Sequence, residues 1–197
     1  MVSDTETPTP PSSDARQRIL DSAYDLFSRQ GIRAVGVNEL VARAGVAKAT
    51  FYHLFHSKDD VVLAFLEKRE QIWTKGWVET EARQRGGTPE EQLLAIFDLF
   101  DEWFRRDDYE GCSFVNVLLE FGGRNGHHLG QASALHLENI RSIVCALGAE
   151  AGLRDPESFA LSWHILMKGS IVQASEGDRE AAKRAKSLAR HLIDDHR

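Results

Sequence analysis

The chain is 197 residues long, 42% hydrophobic and 27% charged, with a formal net charge of −6, the balance of a soluble globular protein of one or two small domains. No apolar run reaches the ~18–20 residues that a bilayer-spanning helix needs, and the acidic, Pro/Ser/Thr-rich N-terminus lacks the basic region and apolar core of a secretory signal. The two cysteines, Cys112 and Cys145, make no disulfide framework, so the expected compartment is a reducing cytoplasm.

Residues 1–13 show no apolar periodicity and no basic side chain, and are expected to form a disordered tail. A first helix is predicted from Asp14 to Gln30 with Ser13 as its cap, burying Ile19, Ala23, Leu26 and Phe27 and ending at Gly31. Val37, Leu40, Val41 and Ala44 then space one buried face of a short second helix, which Gly45 breaks through a left-handed turn. A third helix carries Phe51, Leu54 and Phe55 inward, leaving Lys48, Thr50, Tyr52 and His53 outside. These outward groups can bond phosphate oxygens or base edges, which is the logic of a helix-turn-helix whose second member enters a major groove.

Charge is partitioned accordingly. Residues 15–58 hold seven basic side chains (Arg16, Arg18, Arg29, Arg33, Arg43, Lys48, Lys58) against three acids (Asp21, Asp25, Glu39), a net +4 that leaves −10 on the rest of a chain of −6. A basic head on an acidic body suits docking on DNA by one end.

Ser57-x-x-Asp60 reads as a capping box that opens a fourth helix directly after the third, and this helix is expected to run to about Gln84. Thr88-Pro89-Glu90-Glu91 restarts the chain as a cap, an N1 proline and a capping-box glutamate, followed by an aromatic face of Phe97, Phe100, Trp103 and Phe104. A sixth helix spans about Cys112–Phe121, stopped by Gly122-Gly123. A seventh runs from about His127 to Ala151, with Leu135, Ile140, Val144 and Leu147 inward. Asp155-Pro156 caps an eighth to about Ser175, and Gly177-Asp178 a ninth to about Asp194. No segment reads as a strand. The expected fold class is all-α, with a three-helix DNA-binding domain over residues 14–56 and a six-helix body over 57–197.

The stretch AGVAKATFYHLFHSKDDV resembles the end of the DNA-binding domain of the tetracycline-repressor (TetR) family of bacterial regulators. Members commonly show A-G-V-S, a small residue with T-L-Y, then H-F-x-x-K. Here these stand as Ala44-Gly45-Val46-Ala47, Ala49-Thr50-Phe51-Tyr52 and Leu54-Phe55-His56-Ser57-Lys58. The likeness begins at Arg18-Ile19-Leu20, passes through Phe27-Ser28-x-x-Gly31 and ends near Leu63. Two positions depart from the pattern: Ala47 and Gly36 stand where the family usually has hydroxyl caps.

The resemblance implies a homodimeric, ligand-responsive DNA-binding regulator, a repressor released from a palindromic operator by a small, largely apolar or aromatic effector. It assigns Tyr52 and Lys58 to phosphates and Lys48, Thr50 and His53 to base edges, with Asn38 and Arg43 flanking. It also implies an effector cavity in the body, for which the candidates are Trp73, Phe97, Phe100, Trp103, Phe114 and Trp163, with polar groups from Asn116, Glu120, His136, Asn139 and His164. Gly111-Cys112-Ser113-Phe114-Val115-Asn116 followed by Glu120 is similar to a G-C-x-x-x-N run in one branch of the family, and marks either a pocket helix or a packing turn. Cys112 beside a helix N-terminus has two readings, an activated thiol or an inert buried one, and the second is favoured.

The last two helices are implied to form a four-helix bundle across a two-fold axis, through Gly169, Ser170, Ala174, Ala185, Leu188 and Leu192. No metal or cofactor is expected, since His127, His128 and His136 lack ligand spacing. The alternatives are an effector-independent architectural DNA binder and an all-helical enzyme. The enzyme would need a nucleophile–base set that the sequence does not offer.

Overall fold

The computed structural model describes residues 11–122 and 126–197. Its elements are α1 (Pro11–Gln30), α2 (Val37–Ala44), α3 (Lys48–Leu54), α4 (Lys58–Arg69), a π-helical segment (Glu70–Glu79), α5 (Thr80–Arg85), α6 (Pro89–Phe104), α7 (Ser113–Phe121), α8 (His128–Glu150), α9 (Pro156–Ser175) and α10 (Ala181–Asp195). No strand occurs among the described residues, so the fold is all-α as the sequence predicts. Among the same residues no helix is long and apolar enough to cross a membrane. The chain divides into two compact units, one through Phe65 and one from Leu66 onward.

In the first unit Ile19, Ala23, Leu26 and Phe27 of α1 close over Leu40, Ala44 and Phe51, with Ile32 and Val35 between. The first turns of α4 complete this core. Val61 and Val62 are fully buried, and the Phe65 ring meets Tyr24 and Phe27 edge-on at 5.8 and 5.6 Å. Gly45 ends α2 at φ 63°, donating its N–H toward Ala42 while the next N–H reaches the Val41 carbonyl.

The predicted capping box at α4 is present. The Asp60 N–H donates to Ser57 Oγ at 3.1 Å, and the Ser57 N–H donates to Asp60 Oδ2 at 3.0 Å. The start of α1 is corrected. It begins at Pro11 and not near Asp14, because proline in a first turn loses no hydrogen bond. Residues 1–10 of the expected tail lie outside the described residues.

The second unit also departs from expectation in places. The predicted fourth helix runs on to Arg85, but through ten residues of π-helix. Gly76 fits that widened geometry, since a Cβ there would lie 2.8 Å from the Gln71 carbonyl oxygen; the Thr80 hydroxyl donates to the Lys75 carbonyl, five residues back. At α6 the capping box of Thr88 and Glu91 forms with Pro89 in the first turn, as predicted. The stop of α7 holds at Gly122, and Gly123 lies outside the described residues. On α8, Val144 and Leu147 are buried, but Leu135 points outward. Finally, α10 starts at Ala181 and not at Gly177-Asp178, which form a turn in which Asp178 accepts from the Glu180 N–H.

Candidate functional site

The candidate DNA-reading surface is built on a short helix. Phe51 anchors α3 to the core with no exposed surface, and its ring meets Tyr52 edge-on at 5.3 Å. Lys48, Tyr52 and His53 are exposed and Thr50 half-buried, while Asn38 stands exposed on α2. Two of the predicted residues have further duties. Lys58 donates from Nζ to the Ile32 and Val35 carbonyls at 2.9 and 3.1 Å, so it clamps the loop before α2 and has one N–H left for a phosphate. Arg43 pairs with Asp25, which also holds Arg29 at 2.9 Å.

Neither Gly36 nor Ala47 supplies a side-chain cap. Ala47→Ser is therefore expected to stabilise the first unit by about 0.5–2 kcal/mol, because a hydroxyl there would accept an orphan N–H of α3. Urea unfolding of the two proteins checks this, and equal midpoints would show that the N-terminus of α3 needs no cap.

The second unit contains a cavity lined by Arg69, Trp73, Thr74, Trp77 and Val78 from the end of α4 and the π segment, and by Phe100 and Trp103 from α6. Cys112, Ser113, Phe114 and Val115 contribute from the start of α7, Leu137 and Ile140 from α8, and His164, Met167, Lys168 and Ile171 from α9. Its volume of about 60 Å³ is several times the ~10–15 Å³ that one water requires. The wall is mainly aromatic. Trp73 lies 5.1 Å from Trp77 and 5.6 Å from Trp103 between ring centres, and the Arg69 guanidinium sits 5.1 Å over the Trp73 ring. Burial pushes the Cys112 thiol up, against the backbone hydrogen bonds of Val115 and Phe114. That disfavours the thiolate and fits the inert reading.

Behind the Phe114 wall lies a buried polar network. Glu70, 4% exposed on the π segment, has Oε2 at 2.8 Å from His136 Nδ1 and accepts from Asn139 Nδ2 at 2.6 Å. Phe114 stacks on the His136 ring at 5.1 Å, and Ser133 Oγ donates to the Phe114 carbonyl at 2.6 Å. Ligand atoms of Glu67, Glu70 and His136 lie within 4.8 Å of one another. That set could accept a divalent cation, although Glu70 already has protein partners on both oxygens.

The chain as a whole is similar to known proteins. Residues 19–65 match the family model described as bacterial regulatory proteins, tetR family. The transcriptional regulator AcuR of Cereibacter sphaeroides is 36% identical over 174 residues, which cover 84% of this chain and 78% of that protein. The chain belongs to the TetR family. It is a DNA-binding transcriptional regulator, not an enzyme. The HTH-type transcriptional repressor NemR of Escherichia coli is 28% identical over 109 residues, so the chain spans 54% of that relative. Among solved structures, a TetR-family transcriptional regulator from Streptomyces coelicolor superposes with a TM-score of 0.84 at 26% identity, covering 93% of this chain and 96% of that one.

Against the expectations for a TetR-family body, the structure brings Trp73, Phe100, Trp103, Phe114 and His164 together around the cavity. Phe97 and Trp163 instead pack on each other at 5.1 Å in the core. His136 and Asn139 are bound to Glu70, Asn116 is exposed with its Nδ2 3.5 Å from the Glu110 carbonyl, and Glu120 is not among the lining residues. Arg69 and Lys168 were missed. The available signal was that Lys168 is the one lysine or arginine in the 20 residues of α9, a turn after His164.

Of the predicted dimer residues, Ser170 and Ala185 are buried within the single chain, and Ala174 and Leu192 pack partly against its core. Gly169 and Leu188 face outward, beside an exposed apolar row of Leu161, Ile165 and Val172 on α9 that sequence reasoning did not single out.

Proposed function

We propose that this chain is a homodimeric repressor, working in the cytoplasm, that a small and largely apolar or aromatic effector releases from a palindromic operator. The observation that carries this reading is the cavity's position on the helical run that follows the DNA-reading helix. Only residues 55–57 separate α3 from α4, and α4 passes without interruption into the π segment whose Trp73, Thr74 and Trp77 line the cavity. An occupant that favours one arrangement of this run biases the position of α3, and needs only a higher affinity for the released state to do so. The exposed side chains of Asn38, Lys48, Tyr52 and His53, with Thr50 and Lys58, support the contact with phosphates and base edges.

Selection of bound duplexes from a random library tests the reading. Enrichment of one palindrome is expected, with half-sites about one helical turn apart. Tyr52→Ala should weaken binding of the dimer to that palindrome by about a hundredfold, the worth of two phosphate hydrogen bonds to charged acceptors, one per subunit. Enrichment of no sequence by the free protein would count against the repressor, and a palindrome bound equally by Tyr52→Ala would remove Tyr52 from the contact set.

A further inference from the structure

The cavity wall carries positive charge and no carboxylate: Arg69 and Lys168 line it, and neither Asp nor Glu does. Lys168 follows His164 by one turn of α9, so both side chains leave the helix on one face. Neither makes a hydrogen bond or ion pair among the described residues. His164 is only 5% exposed. Burial, then the positive charges of Lys168 and Arg141, push its pKa down to about 3, so at neutral pH it is an uncharged imidazole with one N–H to give. Burial and Arg141 likewise pull the Lys168 ammonium down, with Cys112 opposing.

A partly buried ammonium beside a 95%-buried imidazole, both lacking protein acceptors, is a costly arrangement in an apolar wall unless an anion completes it. The geometry points to an aromatic monocarboxylate as the occupant, its carboxylate held by the Lys168 ammonium and the His164 N–H and its ring set among Trp73, Trp77, Trp103 and Phe114. The Lys168 ammonium and the His164 N–H, one turn apart on α9, offer one donor to each oxygen of a single carboxylate, while the Arg69 guanidinium lies over the Trp73 ring. The aromatic surroundings favour a flat ring over an aliphatic chain, since ring edges and faces pair with one another. At about 60 Å³ the cavity is smaller than the ~150 Å³ of one that holds benzene, so its wall must part to admit even a single ring, and small acids should enter most readily.

This inference rests on the reading of the cavity as the effector site, and the experiment separates the two. Quenching of tryptophan fluorescence and calorimetry on the full chain would be measured with benzoate, cinnamate and indole-3-acetate, and with the matched neutral amides. Acids should bind about tenfold or more tightly than their amides, the worth of a charge-assisted contact. Lys168→Met should erase that preference, while Lys168→Arg, which keeps the charge, should retain it and so control for folding. Amides bound as well as acids, or an acid preference that survives Lys168→Met, would overturn the carboxylate and leave the cavity as effector site. Binding of neither series would overturn both.

Discussion

Glu70→Ala should destabilise the second unit by about 2–5 kcal/mol, the range for removing one partner of a buried, hydrogen-bonded ionic group. The carboxylate is 4% exposed and satisfies two groups at once, His136 at 2.8 Å and Asn139 at 2.6 Å. Truncation leaves the imidazole nitrogen and the amide N–H without acceptors in a site that water enters poorly. The damage should spread to the cavity, because His136 is stacked on Phe114, which is a lining residue. Glu70→Gln keeps the shape and one acceptor oxygen, so its loss should be smaller. Urea unfolding followed by tryptophan fluorescence checks both, because all four tryptophans lie in this unit. Equal midpoints for wild type and Glu70→Ala would show that the network contributes no net stability. The exposed pair of Arg83 and Glu150 offers the contrast: solvent already screens both charges, and its removal should be silent in the same assay.

That contrast also shows what was legible in the sequence. The caps at Ser57, Thr88 and Asp155 and the left-handed turn at Gly45 depend on residues three or four apart, and all four appear where the pattern put them. Features that depend on a partner from elsewhere in the chain were not legible. Leu135 shares its helix with the buried Val144 and Leu147 but lies near the other end of α8, where the face turned to the core is set by what packs there. Ser170 and Ala185 read as small residues for close packing, which is correct, but periodicity does not say whether the neighbour belongs to the same chain. The π segment was hidden because no residue type specifies i→i+5 bonding, and ten residues are too few for its longer period to stand out from an α-helical one. Gly76 between two tryptophans was the trace it left. Lys168 was passed over because a lone lysine on a helix is normally a solvated one, and only the cavity beside it gives the residue another meaning.

If the protein is the proposed homodimer, Ile165→Glu should convert it to a monomer and weaken operator binding by about a hundredfold or more. Leu161, Ile165, Gly169 and Val172 form one stripe along α9, and Ile165 is 71% exposed in the single chain. Burying a side chain of this size contributes about 1.5–3 kcal/mol. A two-fold interface counts every change twice, because the same patch is present on both subunits. Glutamate at 165 removes that burial and places two like charges near each other across the axis. Leu188 on α10, 55% exposed, extends the apolar surface, so Leu188→Glu should act in the same direction. Light scattering after size exclusion reads the mass, and a gel shift on the selected palindrome reads the affinity. The two readings are tied by geometry. Two α3 helices reach successive major grooves only when the chains are joined, since one helix alone gains the contacts of one half-site. A monomer that still bound the full palindrome at wild-type affinity would place the recognition energy within a single chain. A dimer that persisted through both substitutions would place the two-fold axis away from α9 and α10.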